Sequence, residues 1–341
     1  MIRLTEAEFE REVHDLFRLS TRRRTSSGIA VGAVTSAGEW LYCHGPARGV
    51  SPITPNTVFE IGSLTKTVTA LALADLAAQG QLSLDAPLAR YVQTPLSIAG
   101  RAITLRELAT HTAGIPRLPR NLLLRALRER NNPYSGYSRD DLSAAIQSVR
   151  LRRRGRVRYS SFGYALLGQA LEGASGLSYQ ELVHDRVTAP LGMSSTAIGP
   201  RTSELAQGHR RTRPVPPWDL GPFAAAGGLC STLADMVCYL KACLVPELTQ
   251  LGAAVELAQR TEVKRGRDEQ CLAWIRSPSR DGRWIAWHNG ATGGFGSFIA
   301  FDRCVSVGIV VLSNRRGTRR FDAASIALLE RVAHAARARG R

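Results

Sequence analysis

The chain has 341 residues, 44% of them hydrophobic and 21% charged, with 45 basic against 28 acidic side chains and a formal charge of +17. This composition supports a sizeable core and excludes a disordered or low-complexity chain, and the absence of an 18-residue apolar run excludes a helical membrane span. Six cysteines, at 43, 230, 238, 243, 271 and 304, form no C-x-x-C pair, so they read as scattered reduced thiols rather than a disulfide frame or a metal site.

Only three of the basic residues are lysine (Lys66, Lys241, Lys264), which leaves 42 arginines. Solvated surface charge is the default reading of such a balance. The arginines are uneven, however. Residues 117–158 hold 12 of them against Glu129, Asp140 and Asp141, which is +9 of the +17.

In chain order, residues 4–19 are an amphipathic helix. Gly28 to Val34 and Glu39 to His44 are strands joined by the turn Thr35-Ser36-Ala37-Gly38. Val58 to Ile61 is extended and Gly62 turns the chain. A helix then opens at about Ser63, with apolar residues at Leu64, Val68, Leu71 and Leu76, and ends at Gly80. A further helix starts at a Thr104 cap and ends at His111-Thr112-Ala113-Gly114; His111 is expected to be a structural hydrogen-bonder. The basic segment is expected to form helix, loop, helix. Ser160 or Ser161 caps the helix that follows Tyr159, and another helix covers Tyr179 to Val187. Pro200, Pro214, Pro216, Pro217 and Pro222 mark an irregular stretch. Ser231 or Thr232, with Asp235, caps the next helix. From Trp284 the pattern is β, with a glycine-rich turn at 290–296, strands at Ser297 to Phe301 and Val305 to Leu312, and a closing helix at Phe321 to Ala338.

Ser63 and Lys66 are three apart, so a hydroxyl and an amine share the first turn of a helix at the positive end of its dipole. A serine hydroxyl needs a neighbour to take its proton. A lysine can do so once burial lowers it from its free value near ~10.4. In a chain where arginine has displaced nearly every lysine, a retained lysine marks a task that arginine cannot perform. Tyr159 sits just before a helix and can present its phenol. His288-Asn289-Gly290-Ala291 ends a strand among glycines, where an exposed backbone N–H could pair with that of Ser63 to hold an oxyanion.

Ser63-Leu64-Thr65-Lys66, then Tyr159-Ser160-Ser161, then His288-Asn289-Gly290, together with LATHTAGIP, FGYALLGQALE and GGLCSTLADM, resemble the penicillin-recognising serine hydrolases over nearly the whole chain. The nearest branch looks like the class C β-lactamases and their esterase, D-peptidase and acyltransferase relatives. The resemblance implies a two-part α/β (α+β) fold: an antiparallel sheet flanked by N- and C-terminal helices, from 1–80 and 223–341, and a mainly helical region at 81–222, with the site between them. It implies Ser63 as nucleophile, Lys66 and Tyr159 as proton relay with either as base, and the N–H groups of Ser63 and Ala291 as oxyanion hole. Ser161, His288, Asn289 and Gly290 are expected to contact substrate, and no metal or cofactor is implied. Two positions depart from the pattern: Ser161 stands where the family usually has Asn, and His288 where many members have Lys. An ester, or an amide, is the expected substrate, with an amine or alcohol as optional acceptor and an anionic substrate or acyl carrier as an open alternative. β-Lactamase or D-amino-acid peptidase activity is the alternative chemistry, and a degenerate binding protein with a basic surface the alternative class. Membrane and nucleic-acid partners are not expected. The charged amphipathic N-terminus lacks the apolar stretch of a secretory signal, so a cytoplasmic location is expected.

Overall fold

A computed structural model describes residues 5–18, 27–92, 102–127, 129, 132–149, 151, 154–199 and 204–337. Eight strands form one antiparallel sheet: β1 (Ile29–Thr35), β2 (Gly38–His44), β3 (Val263–Arg265), β4 (Asp268–Gln270), β5 (Ile275–Pro278), β6 (Trp284–Ala291), β7 (Gly296–Asp302) and β8 (Val307–Ser313). Their spatial order is β3-β4-β5-β6-β7-β8-β1-β2. The N-terminal hairpin therefore closes onto the last strand, with Val31 opposite Val311 and Ala30 opposite Leu312.

Five helices have twelve or more residues among those described: α1 (Glu6–Phe17), α2 (Thr65–Ala78), α3 (Ser161–Ser175), α4 (Leu233–Leu244) and α5 (Arg319–Arg337). Strand residues two apart share a face. Ile29, Val31, Ala33, Ile309 and Val311 pack with Phe9 and Val13 of α1 and Leu328, Leu329 and Val332 of α5. The alternate set, Ala30, Val310, Leu312, Ile299 and Phe301, joins the larger core that encloses α2, α3 and α4. Helices therefore cover both faces. The expected ends of α1 at residues 4 and 19, and of α5 at 338, lie outside the described residues.

Capping follows local chemistry. Thr104 and Glu107 form a reciprocal capping box, Ser160 accepts the Gly163 N–H to open α3, and Thr232 accepts that of Asp235 to open α4. Among the described residues of the basic segment, helices run at Arg120–Ala126 and Arg139–Ser148, as expected at its two ends. Residues 179–187 differ from the continuous helix expected there: the α-turn Tyr179–Val183 widens into a π-helical turn at His184–Thr188.

Candidate active site

The two-residue strand Phe59–Glu60 pairs with Leu229–Ser231, and Gly62, at φ +49°, reverses the chain out of it. A single 3-10 turn, Gly62–Leu64, precedes α2, so the regular helix starts at Thr65 rather than at Ser63. Leu64 N–H reaches Ile61 O, but Ser63 N–H lies too early in the turn for a helical acceptor. The turn thus leaves Ser63 with both a hydroxyl and an uncommitted backbone donor.

Lys66 follows within α2 and is fully buried. Its Nζ lies 3.2 Å from Ser63 Oγ and donates to Ala226 O at 2.5 Å. It also stands 4.8 Å from the centre of the Tyr159 ring and 5.5 Å from that of Tyr164. Burial pushes its pKa below the ordinary lysine value; the nearby Tyr159 opposes that fall and Arg117 adds to it. Tyr159 precedes α3, and its hydroxyl donates to Ser63 Oγ at 2.6 Å. Ser63, Lys66 and Tyr159, separated by almost a hundred residues, therefore meet at one oxygen atom.

Three contacts hold Tyr159 in place. The His111 ring packs against it, tilted by 43°, with ring centres 4.7 Å apart, and the His111 ring accepts the Ser160 N–H at Nδ1, 3.2 Å away. The guanidinium of Arg117 lies 5.2 Å from the ring centre on the exposed side. His111 is thus the hydrogen-bonder its position in the sequence implies, and burial, with Lys66 as the next cause, holds its pKa well below the usual histidine value.

Strand β6 forms the opposite wall. A Cβ at Gly290 would stand 2.2 Å from Ile61 O and 3.1 Å from Ser63 N, so only glycine lets this strand lie against the nucleophile turn. A Cβ at Gly62 would in turn stand 2.9 Å from Ala291 N. Thr292 N–H bonds Phe295 O across the β6–β7 turn, and antiparallel pairs alternate, so the N–H of Ala291 faces away from β7. On that side β5 last pairs at Ile275 with Trp287, which leaves the amide of Ala291 free. The N–H groups of Ser63 and Ala291 thus lie on touching backbones.

His288 shares the Gly290 face of β6 and is 2% exposed, not a surface residue. Its Nδ1–H donates to Asn289 O at 2.8 Å, so Nε2 keeps a lone pair. Its ring lies 6.4 Å from that of Tyr159. Burial, followed by the charge of Lys66, pushes its pKa down to about 3, so the ring is neutral at physiological pH.

Asn289 does not join this group. Alternation turns its side chain to the other face, where Nδ2 donates to Asp322 of α5 at 2.8 Å. The expectation that Asn289 contacts substrate through its side chain is therefore corrected. Ser161 is the first residue of α3; its N–H bonds Arg117 O at 3.1 Å. Within the basic segment at 117–158, Arg152 and Arg153 lie outside the described residues. Arg154 is tied to Glu107 and to Ala102 O and so serves the scaffold. Sequence reasoning missed the carbonyl of Ala226, the ring of Tyr164, and the group formed by Glu60, Trp218 and Thr292.

The family model described as Beta-lactamase matches residues 13–333. The chain belongs to the beta-lactamase family. It is 27% identical to the D-alanyl-D-alanine-carboxypeptidase/endopeptidase AmpH of Escherichia coli K12, across 93% of this chain and 87% of the relative. It is 28% identical to a beta-lactamase of the same organism, across 87% of each. A crystal structure of a class C beta lactamase from Rhodobacter sphaeroides superposes with a TM-score of 0.80, over 96% of this chain and 98% of that one. At 24% identity that likeness is one of fold. The family and the fold make the protein a serine hydrolase of the beta-lactamase type.

Proposed function

We propose that the protein is an acyl-serine enzyme that cleaves esters, or passes their acyl group to an amine or alcohol, through Ser63. The observation that carries this reading is the convergence of Lys66 Nζ and Tyr159 Oη on Ser63 Oγ, at 3.2 and 2.6 Å. Ser63 Oγ attacks the ester carbonyl and yields its proton to the Lys66–Tyr159 pair. The carbonyl oxygen becomes an oxyanion, held by the N–H groups of Ser63 and Ala291. The intermediate collapses, the C–O bond breaks, and the relay returns the proton to the leaving alcohol. Water, or an amine or alcohol acceptor, then attacks the acyl-enzyme, gives its proton to the relay, and frees Ser63.

The preference for esters rests on two side chains. β-Lactams and D-peptides carry an amide beside the scissile carbonyl and a carboxylate beyond it. Ser161 offers one hydroxyl on a short arm where an asparagine amide would both donate and accept. An amide left unmatched in a buried site costs roughly 1–3 kcal/mol, about ten- to a hundredfold in rate. Neutral His288 brings no charge to a substrate carboxylate. A second reading, β-lactam or D-peptide hydrolysis, is favoured by relatives named as beta-lactamases and a D-alanyl-D-alanine-carboxypeptidase. Comparing kcat/KM for an activated ester and a chromogenic cephalosporin separates the two readings. The ester is expected to lead, and Ser161→Asn to narrow the gap; equal efficiencies, or an unchanged ratio, would contradict the preference.

Arg117, exposed beside Tyr159, supports selection of an anionic substrate or acyl carrier. Catalytic efficiency on such substrates should then fall with added salt and with Arg117→Ala, and salt-insensitive kinetics would exclude it. A cytoplasmic location is part of the same proposal.

A further inference from the structure

Glu60 stands three residues before Ser63 and is buried, at 4% exposure. Its Oε1 accepts the backbone N–H of Trp218 at 2.6 Å. Its Oε2 accepts the hydroxyl of Thr292, the residue after Ala291. Trp218 also packs on this turn, since a Cβ at Gly293 would stand 2.6 Å from its Nε1. The Glu60 carboxyl group therefore joins the strand leading to the nucleophile, the turn carrying the Ala291 N–H, and the loop behind that turn. Among the described residues Glu60 makes no ion pair.

A buried carboxylate without a cation is a costly way to hold two donors. Burial raises its pKa to about 7, although both hydrogen bonds oppose the rise. The groups facing it are Thr292 from the β6–β7 turn, the Trp218 backbone from the loop, and Cys230 from the paired strand. Of these only Cys230 titrates, and burial pushes its thiol pKa far up, so it remains neutral.

Ionised Glu60 accepts from both donors. When a proton is added, the Trp218 N–H still needs an acceptor, so the proton goes on Oε2. That oxygen then donates to Thr292 Oγ1 and displaces the hydroxyl hydrogen that had pointed at it. The Thr292 contact reverses its sense and loses its charge assistance. We propose that Glu60 is a positioning residue of the oxyanion hole, whose ionised form draws Thr292, and with it the Ala291 N–H, into the place that acylation requires. The inference rests on the acyl-serine reading above.

Glu60→Gln is the test, because its amide accepts from Trp218, donates to Thr292, and so fixes the protonated pattern at every pH. Single-turnover acylation of Ser63 by an activated ester is followed from pH 5.5 to 9. Wild type and Glu60→Gln should agree within about twofold at pH 5.5. They should diverge through pH 7, until the variant is about tenfold slower at pH 9 with little change in KM. That loss is smaller than the 10²–10³ for deleting an oxyanion donor outright. Thr292→Val, which removes the hydroxyl and keeps Glu60, should flatten the same step and be non-additive with Glu60→Gln; it carries the test if Glu60→Gln does not fold. Parallel profiles, or a loss of equal size at every pH, would overturn the positioning role. Absence of any wild-type adduct would overturn both this inference and the acyl-serine reading.

Discussion

At the scale of single residues, the site depends on backbones that approach more closely than any side chain allows. Gly290 shows this most plainly, because the added methyl of Gly290→Ala would stand 2.2 Å from Ile61 O and 3.1 Å from Ser63 N. The strand must then move off the nucleophile turn. The expected outcome is a loss of acylation rate of about 10²-fold, of the order seen when an oxyanion donor is lost. Stopped-flow acylation checks this against the melting temperature, which should fall only modestly. Ser63 and Lys66 were legible in the sequence because a short motif and rare lysines marked them, and Tyr159 because the family resemblance implied it. Asn289 was misread although a signal was present: a strand starting at Trp284 puts residue 289 on the face opposite His288 and Gly290. Glu60, Trp218 and Thr292 were not legible. Glu60 bonds partners 158 and 232 positions away, and no local pattern encodes such a contact.

At the scale of elements, α2 carries the site and is enclosed on all sides over its first twelve residues. The sequence suggested a helix with one apolar face. Instead every residue from Thr65 to Leu76 is buried, because the helix is surrounded by α3, by the helix Gly252–Gln259 and by the turn at Ala224–Gly227. Periodicity cannot reveal such a helix, since its polar positions are satisfied internally rather than by water. Thr67 bonds Leu64 O, and Thr69 bonds Thr65 O, Ala225 O and the Tyr179 hydroxyl. Leu71→Ala should therefore cost about 2–5 kcal/mol, the usual range for a buried leucine. Urea unfolding gives that number, and kcat per folded molecule should stay close to wild type because Leu71 lies more than a helical turn beyond Lys66. A loss below about 1 kcal/mol would contradict the enclosure of the helix.

For the whole molecule, stability is tied to pH through groups that the fold keeps uncharged. His288 has its pKa lowered from 6.5 to about 3 in the fold. Between these values the unfolded chain binds the extra proton, so stability falls as pH drops from about 6.5 toward about 3. Glu60 acts with the opposite sign, with its pKa raised from 4.5 to about 7. There the folded chain binds the extra proton, and stability falls as pH rises across that window. The two effects oppose each other between about pH 4.5 and 6.5, at about 1.4 kcal/mol per pH unit each. Thermal unfolding of His288→Gln should therefore lose less stability than wild type below pH 4.5, and Glu60→Gln should gain over wild type from pH 5 to 8. A wild-type pH profile shared by both variants would contradict these assignments. The chemistry of the whole molecule comes down to one covalent bond. Intact-mass spectrometry after incubation with an activated ester should show one acyl group on the wild-type protein, mapped to Ser63 by peptide digestion and absent in Ser63→Ala. The same adduct on Ser63→Ala, or an adduct mapped to another residue, would contradict it.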